Sequence, residues 1–328
     1  MAYPKNFDEL SIKDQLKEKI NIYYHSIWRE KWQEQILENW LKNFDEAEEV
    51  NVLYLLSKFM YFGNIEIREI LRSMYRDLFQ YPIIEEIRKK NSDTLDASFL
   101  RGEFGNEAAK TRFLGVGNPS ESGVHILYYF RQENDMQKDD FIYVSDIFKG
   151  VPKKDGGRDY IELELNFTDV SRYIFIDDFC GSGTQAKDYL LDKLRNLKKL
   201  KPDCEISYFM MFGTDHGIKF LKSLTIDDSS DEKLFKNVES IFVLDASFKV
   251  FSDDTRYYKK VPSEVTKASG HSICENYGNK LMPAHPLGYK DGQLLISFFH
   301  NTPDNVLPIF WCSHSNWLPI FKRYNKIY

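Results

Sequence analysis

Tyr173-Ile174-Phe175-Ile176-Asp177-Asp178-Phe179-Cys180-Gly181-Ser182-Gly183-Thr184 decides how the rest of the chain is read. Residues 173–176 are a continuous apolar run, the pattern of a strand covered on both faces. The run ends in two aspartates and a glycine loop, and helical periodicity resumes from Thr184 to about Leu197. A glycine loop between a buried strand and a helix forms a cradle for phosphate. Glycine lets the backbone approach closely, and the first-turn amides of the helix point at the anion. Gly181 and Gly183 supply that freedom, while Ser182 and Thr184 add hydroxyl donors. Asp177 and Asp178 stand at the carboxyl end of the strand, where open α/β sheets bind ligands. Two carboxylates repel a phosphate but suit the vicinal hydroxyls of a ribose, or a divalent metal that bridges sugar and diphosphate.

Working outward, strands alternate with helices. Residues 113–117 read as a strand, 118–123 as a turn, and 124–132 as a helix with Ser120 or Ser122 as its N-cap. Residues 141–144 read as a strand, 149–159 as a loop rich in Lys, Gly and Asp, and 160–165 as an alternating segment. Strand 206–212, helix 217–224 and strand 241–244 follow. This alternation implies α/β architecture with a central, mostly parallel sheet and helices on its faces. Residues 1–110 read as a helical N-terminal domain, with helices over about 51–60 and 65–90, the latter broken near Pro82. Residues 111–328 read as the α/β domain, loop-rich from about 262 until the strand 293–299. Trp28, Trp32, Ile36 and Trp40 recur at helical spacing, which marks a core stripe in preference to a partner-binding face.

Composition narrows the class. At 42% hydrophobic over 328 residues, a packed core needs neither disulfide nor structural metal. The four cysteines form no CxxC pair, which fits a reducing cytoplasm and argues against a zinc ribbon. No apolar run approaches the roughly 20 residues needed to span a bilayer, and the first residues lack the apolar core of a signal peptide. The expectation is a cytoplasmic protein with no membrane partner. A net charge of −6 disfavours general nucleic-acid binding, and the lysines at 198, 199 and 201 read as a solvated helix end.

Residues 174–185 resemble the signature of type I phosphoribosyltransferases: an apolar strand, two acids, two variable positions and a small Thr/Ser/Gly loop. The resemblance implies the type I phosphoribosyltransferase kind of sheet and a site for phosphoribosyl pyrophosphate with Mg2+. By it, Asp177 and Asp178 hold the ribose 2′ and 3′ hydroxyls and, directly or through the sugar, the metal. The segment Phe179, Cys180, Gly181, Ser182, Gly183 and Thr184 takes the 5′-phosphate. Pro119, Ser120, Glu121, Ser122 and Gly123 fall at the family's pyrophosphate loop, and Lys153, Lys154 and Arg158 at its mobile flap. More narrowly, residues 113–123, 175–184 and the stretch from His300 to Trp311 resemble PRTase-CE-like proteins of bacterial conflict systems. Such proteins accompany antiphage modules, including some retrons. That implies an effector or accessory role, with a reverse transcriptase and non-coding RNA complex as partner through the N-terminal helices. Gly181 stands where some purine-using members carry a base-contacting aspartate, so the acceptor-side acid is missing or comes from elsewhere; Glu121, His285, His300 and Asp304 are candidates.

Two other readings compete. Asp178-Phe179-Cys180-Gly181-Ser182-Gly183-Thr184 also resembles the S-adenosylmethionine loop of amino-methylating DNA methyltransferases, but the proline expected before the aromatic is Asp178. No Asp/Asn/Ser-Pro-Pro-aromatic tetrad occurs anywhere in the chain. The second alternative is a catalytically inactive module that senses nucleotides, since fold does not fix function. Cys180 lies near a helix N-terminus that would lower its pKa, although packing is its simpler role.

Overall fold

The computed structural model describes residues 7–28, 34–117, 122–314 and 316–324. The chain divides into two compact units, residues 68–243 and residues 1–67 with 244–328. The boundary expected near 110 therefore falls inside the first of these, and the segment from 244 onward joins the N-terminal residues.

In the unit 68–243 a four-stranded sheet runs in the order Thr111–Gly115, Arg172–Cys180, Glu205–Thr214, Asn237–Leu244. The first three strands are parallel, with Leu114 beside Phe175 and Phe175 beside Tyr208. Tyr173, Phe175, Ile206, Tyr208 and Met210 share one core with Ala186, Leu190, Leu194 and Leu197 of helix Thr184–Leu200. Helix Ser122–Glu133 packs on the same two leading strands and buries Ile126 and Phe130. Phe130 and Phe79 both meet the ring of Phe113. This is the expected alternation, and it places the glycine loop at the carboxyl edge of a parallel sheet.

Three local expectations give way. The site strand does not stop at Ile176 but runs through Asp177, Asp178 and Phe179 to Cys180, because Glu205–Thr214 continues alongside it as far as Gly213. Residues 141–144 form no strand; Phe141 makes one isolated bridge to Phe113, and a 3₁₀ turn, Val144–Ile147, follows. The lysine-rich stretch read as a loop is an antiparallel hairpin, Phe148–Asp155 with Arg158–Leu165. Gly156 and Gly157 both take positive φ at its tip, as a two-residue hairpin turn requires.

In the unit of residues 1–67 and 244–328, Met60–Phe62 pairs in parallel with Ile296–Phe298. The helix expected over 51–60 is thus shorter, Glu49–Leu56, and the strand expected over 293–299 spans three residues. The region read as loop-rich holds the helix Lys267–Leu281, capped by Thr266 and burying Ile273, Cys274 and Leu281. Trp28 and Trp40 are core residues, the indole of Trp40 donating to the Ile309 carbonyl at 2.8 Å; Trp32 lies outside the described residues. No helix among the described residues is long and apolar enough to cross a membrane.

Candidate nucleotide site

Strand alternation puts Asp177 on the face that carries Tyr173 and Phe175, beside Met210 of the neighbouring strand and two positions on from the Phe175–Tyr208 pair. The Tyr208 hydroxyl donates to Asp177 Oδ2 at 2.5 Å, and the Asp178 amide donates to Asp177 Oδ1 at 3.0 Å. Burial, and next to it the charge of Asp178, hold the Asp177 carboxyl well above the usual carboxylate range; the Tyr208 bond acts the other way but is weaker. The Asp178 charge thus adds to burial in favouring the protonated form of Asp177, and the two acids influence each other's titration. Asp178 is buried, and its Oδ1 accepts the Phe179 amide at 2.9 Å.

Beyond Cys180 the chain turns through Gly181, Ser182 and Gly183 into the helix Thr184–Leu200. Gly183 is the N-cap at φ 72°, a left-handed conformation that costs an L-residue roughly 1–2 kcal/mol. It has no side chain of its own to cap the helix, and the Thr184 amide reaches back to the Ser182 hydroxyl at 3.4 Å. The Ser182 hydroxyl donates to Thr184 Oγ1 at 3.0 Å, so both hydroxyls lie at the turn. Cys180 is buried, and burial followed by the nearby Asp177 pushes its thiol up, against the lowering expected from the helix start. It is a packing residue.

Of the proposed pyrophosphate loop, Pro119, Ser120 and Glu121 lie outside the described residues, while Ser122 opens the helix Ser122–Glu133 and Gly123 is buried against Val116. The flap cations stand on the hairpin. Lys153 is paired with Glu164 at 3.0 Å and Glu162 at 3.4 Å, Lys154 with Asp159 at 3.5 Å, and Arg158 lies across from Asp155. Of the acceptor-side candidates, Glu121 lies outside the described residues and the other three belong to the other unit: Asp304 is paired with Arg323 at 3.0 Å, His285 packs edge-on to Tyr289, and the His300 ring stacks on Phe298. Among the described residues, no group of three or more His, Cys, Asp or Glu is gathered to hold a metal.

Sequence reasoning missed Tyr208, Thr214 and Gly217. Tyr208 sits in an unbroken apolar strand and looks like packing. Thr214-Asp215-His216-Gly217 does carry a readable N-cap pattern, and Thr214 Oγ1 accepts the Gly217 amide at 3.0 Å.

The PRTase-CE family profile matches residues 37–323, nearly the whole chain and all of the site just described. The chain belongs to the PRTase-CE family. Its fold is accordingly α/β, with a central parallel sheet of the type I phosphoribosyltransferase kind. Solved structures similar to this PRTase-CE chain include the Helicobacter pylori xanthine-guanine-hypoxanthine phosphoribosyltransferase, at 7% identity and TM-score 0.24, covering 56% of this chain and 92% of that one. The AQ2163 protein of Aquifex aeolicus shares 8% identity at TM-score 0.28, with 66% and 87% covered. A hypothetical protein of Neisseria gonorrhoeae with bound ppGpp shares 10% identity at TM-score 0.25, with 57% and 85% covered. No curated protein matches the chain.

Proposed function

We propose that the chain binds phosphoribosyl pyrophosphate, the ribose diol on Asp178 and Asp177 and the 5′-phosphate on the amides of the 181–184 turn. The observation that carries this is the helix start at Gly183, a left-handed glycine with the Ser182 and Thr184 hydroxyls on either side of it, directly beyond an acidic strand end. A carboxylate at Asp178 accepts from the diol, while Asp177, oriented by Tyr208, accepts the Asp178 amide and holds it in place. Lys153, Lys154 and Arg158 are the cations available to the diphosphate. Two carboxyls, one of them favouring its proton, make no cage for a divalent ion that wants six oxygens. Mg2+ therefore fits here only as part of a ligand whose diphosphate supplies most of its oxygens, and there it neutralises the leaving group's charge.

The reaction this arrangement suits is transfer at ribose C1. The C1–O bond to diphosphate breaks, the electron pair leaves with diphosphate, and an acceptor nitrogen or oxygen bonds to C1 and gives up its proton. Gly181 offers no side chain to receive that proton. This one feature favours a second reading, binding of the nucleotide without turnover, as a sensor. In either case the narrower resemblance supports a role as effector or accessory of an antiphage system.

Calorimetric titration with Mg2+ and phosphoribosyl pyrophosphate tests the binding, with Asp177→Asn/Asp178→Asn as control. Saturable binding to the wild type, lost in the double variant, is expected; equal binding by both overturns the assignment of the acids. A pyrophosphate-release assay over bases, nucleic acids and water separates enzyme from sensor. Tight S-adenosylmethionine binding in place of phosphoribosyl pyrophosphate would return the site to the methyltransferase reading.

A further inference from the structure

The carboxyl end of the neighbouring strand Glu205–Thr214 lies beside the turn. Cys180 is the register partner of Gly213, so Thr214 falls next to Gly181. The Thr214 hydroxyl does two things at once. It accepts the Gly217 amide at 3.0 Å, capping the helix Asp215–Ser223, and it donates its proton to the Gly181 carbonyl. One hydroxyl has one donor and two acceptor sites, so both bonds are fully compatible. The helix it caps then seals the back of the turn. A Cβ at Gly217 would lie 2.6 Å from the Gly181 carbonyl oxygen and 3.0 Å from the Cys180 oxygen. A Cβ at Gly183 would lie 2.7 Å from Phe220 Cδ1 of the same helix. Glycine at 217 is what lets this helix come so near.

We infer that Thr214 is a positioning residue for the phosphate turn, a latch that fixes the Gly181 carbonyl toward helix Asp215–Ser223. With that carbonyl tied back, the Gly181 oxygen cannot swing into the anion's place, and the turn that follows keeps its shape. The latch lies on a different strand from the turn it holds, and it serves the site only through that turn. The inference rests on the reading of residues 181–184 as a phosphate cradle.

Three substitutions separate latch from cap. Thr214→Ser keeps donor and acceptor. Thr214→Val keeps the shape and loses both. Thr214→Asp keeps the capping acceptor but, when ionised, has no proton for Gly181. Two readouts apply to each: the affinity for Mg2+-phosphoribosyl pyrophosphate by calorimetry, and amide hydrogen exchange at Ser182, Gly183 and Thr184 without ligand. Thr214→Ser is expected to match the wild type in both. Thr214→Val is expected to bind about tenfold more weakly, the size of effect of one hydrogen bond lost at a buried carbonyl, and to exchange faster at the turn. In Thr214→Asp, whose added charge confuses the affinity, exchange alone decides: the turn amides speed up while those of helix Asp215–Ser223 stay protected. Unchanged turn exchange in the valine or aspartate variant overturns the latch. If valine unfolds the protein by circular dichroism, the aspartate variant decides by itself. A wild type that fails to bind the ligand sinks the proposed function but leaves the exchange comparison standing.

Discussion

Two segments of the unit 68–243 are assigned to the phosphates, and they are built in opposite ways. The turn at 181–184 is enclosed: Thr214 bonds one of its carbonyls, Phe220 and Gly217 press on its back, and Gly183 takes a left-handed conformation within that enclosure. The hairpin Phe148–Asp155/Arg158–Leu165 is exposed over most of its length, with Ile161 at 75% exposure, and its side-chain pairs are surface ion pairs. A lone two-stranded ribbon is marginally stable in water. The turn therefore carries its shape before any ligand arrives, whereas the hairpin has little to hold it in one shape. Preorganised amides suit the invariant end of a ligand, a phosphate; an adaptable arm suits a group that departs.

The contrast is broken most directly at two glycines that share a backbone conformation. Gly183 and Gly157 both take positive φ, 72° and 82°, but a Cβ at Gly183 meets Phe220 at 2.7 Å whereas one at Gly157 meets nothing within 4 Å. Gly183→Ala should lose about 2–4 kcal/mol, from left-handed strain plus overpacking, and should abolish binding of phosphoribosyl pyrophosphate. Gly157→Ala should lose only about 1 kcal/mol, the strain alone. Urea denaturation of the two variants measures both numbers, and equal losses would mean that the turn is no more enclosed than the hairpin.

The next effect is smaller and depends on pH. The folded-state pKa of Asp177 lies above its unfolded value, so the folded protein keeps a proton that the unfolded chain releases. The stability this contributes is complete below the unfolded value, about 3.9, and is lost as pH rises toward the folded pKa. Asparagine at 177 has no charge to bury, and its side-chain oxygen still accepts from Tyr208. Asp177→Asn should therefore gain stability relative to wild type as pH rises from about 4 into the neutral range, while binding the ribose ligand more weakly. Denaturation midpoints of both proteins across that range check it. A stability difference that does not change with pH would show that Asp177 is ionised and solvated, and would remove its buried proton from the site.

How much of this was legible in the sequence follows from where each constraint resides. The strand, acids, glycine turn and helix of residues 173–200 are local and adjacent, so periodicity and glycine placement locate them. The hairpin was hidden because Lys149 with Glu164 and Lys153 with Tyr160 face each other across strands in a stretch whose composition is that of a loop. Charged cross-strand partners stabilise a ribbon, and although 160–165 alternates, the facing stretch 149–155 leaves no apolar alternation to read beside it. Thr214 could be recognised as an N-cap, but its bond to Gly181 depends on the register of two strands, which no local pattern encodes. The pairing of Met60–Phe62 with Ile296–Phe298 is of the same kind, and it is why a boundary near 110 was the natural reading of a chain whose two ends fold together.

The smallest expected effect tests the hairpin. Lys153 sits between Glu164 and Glu162, and those carboxylates, Glu164 foremost, raise its pKa, so it stays protonated throughout the neutral range. Exposed pairs of this sort contribute little to stability, so Lys153→Ala should leave the thermal midpoint almost unchanged. If the hairpin meets the diphosphate, the same substitution should weaken binding of phosphoribosyl pyrophosphate a few-fold, and the loss should shrink as salt screens the charge. Ribose 5-phosphate, which has no diphosphate, should bind the variant and the wild type alike. The two ligands thus divide the site: a loss shared by both would place Lys153 with the turn, and no loss with either would leave the hairpin outside the site altogether. Its two glutamates sharpen the point, because they hold the lysine only loosely and a diphosphate, carrying more charge than either, competes for it on favourable terms.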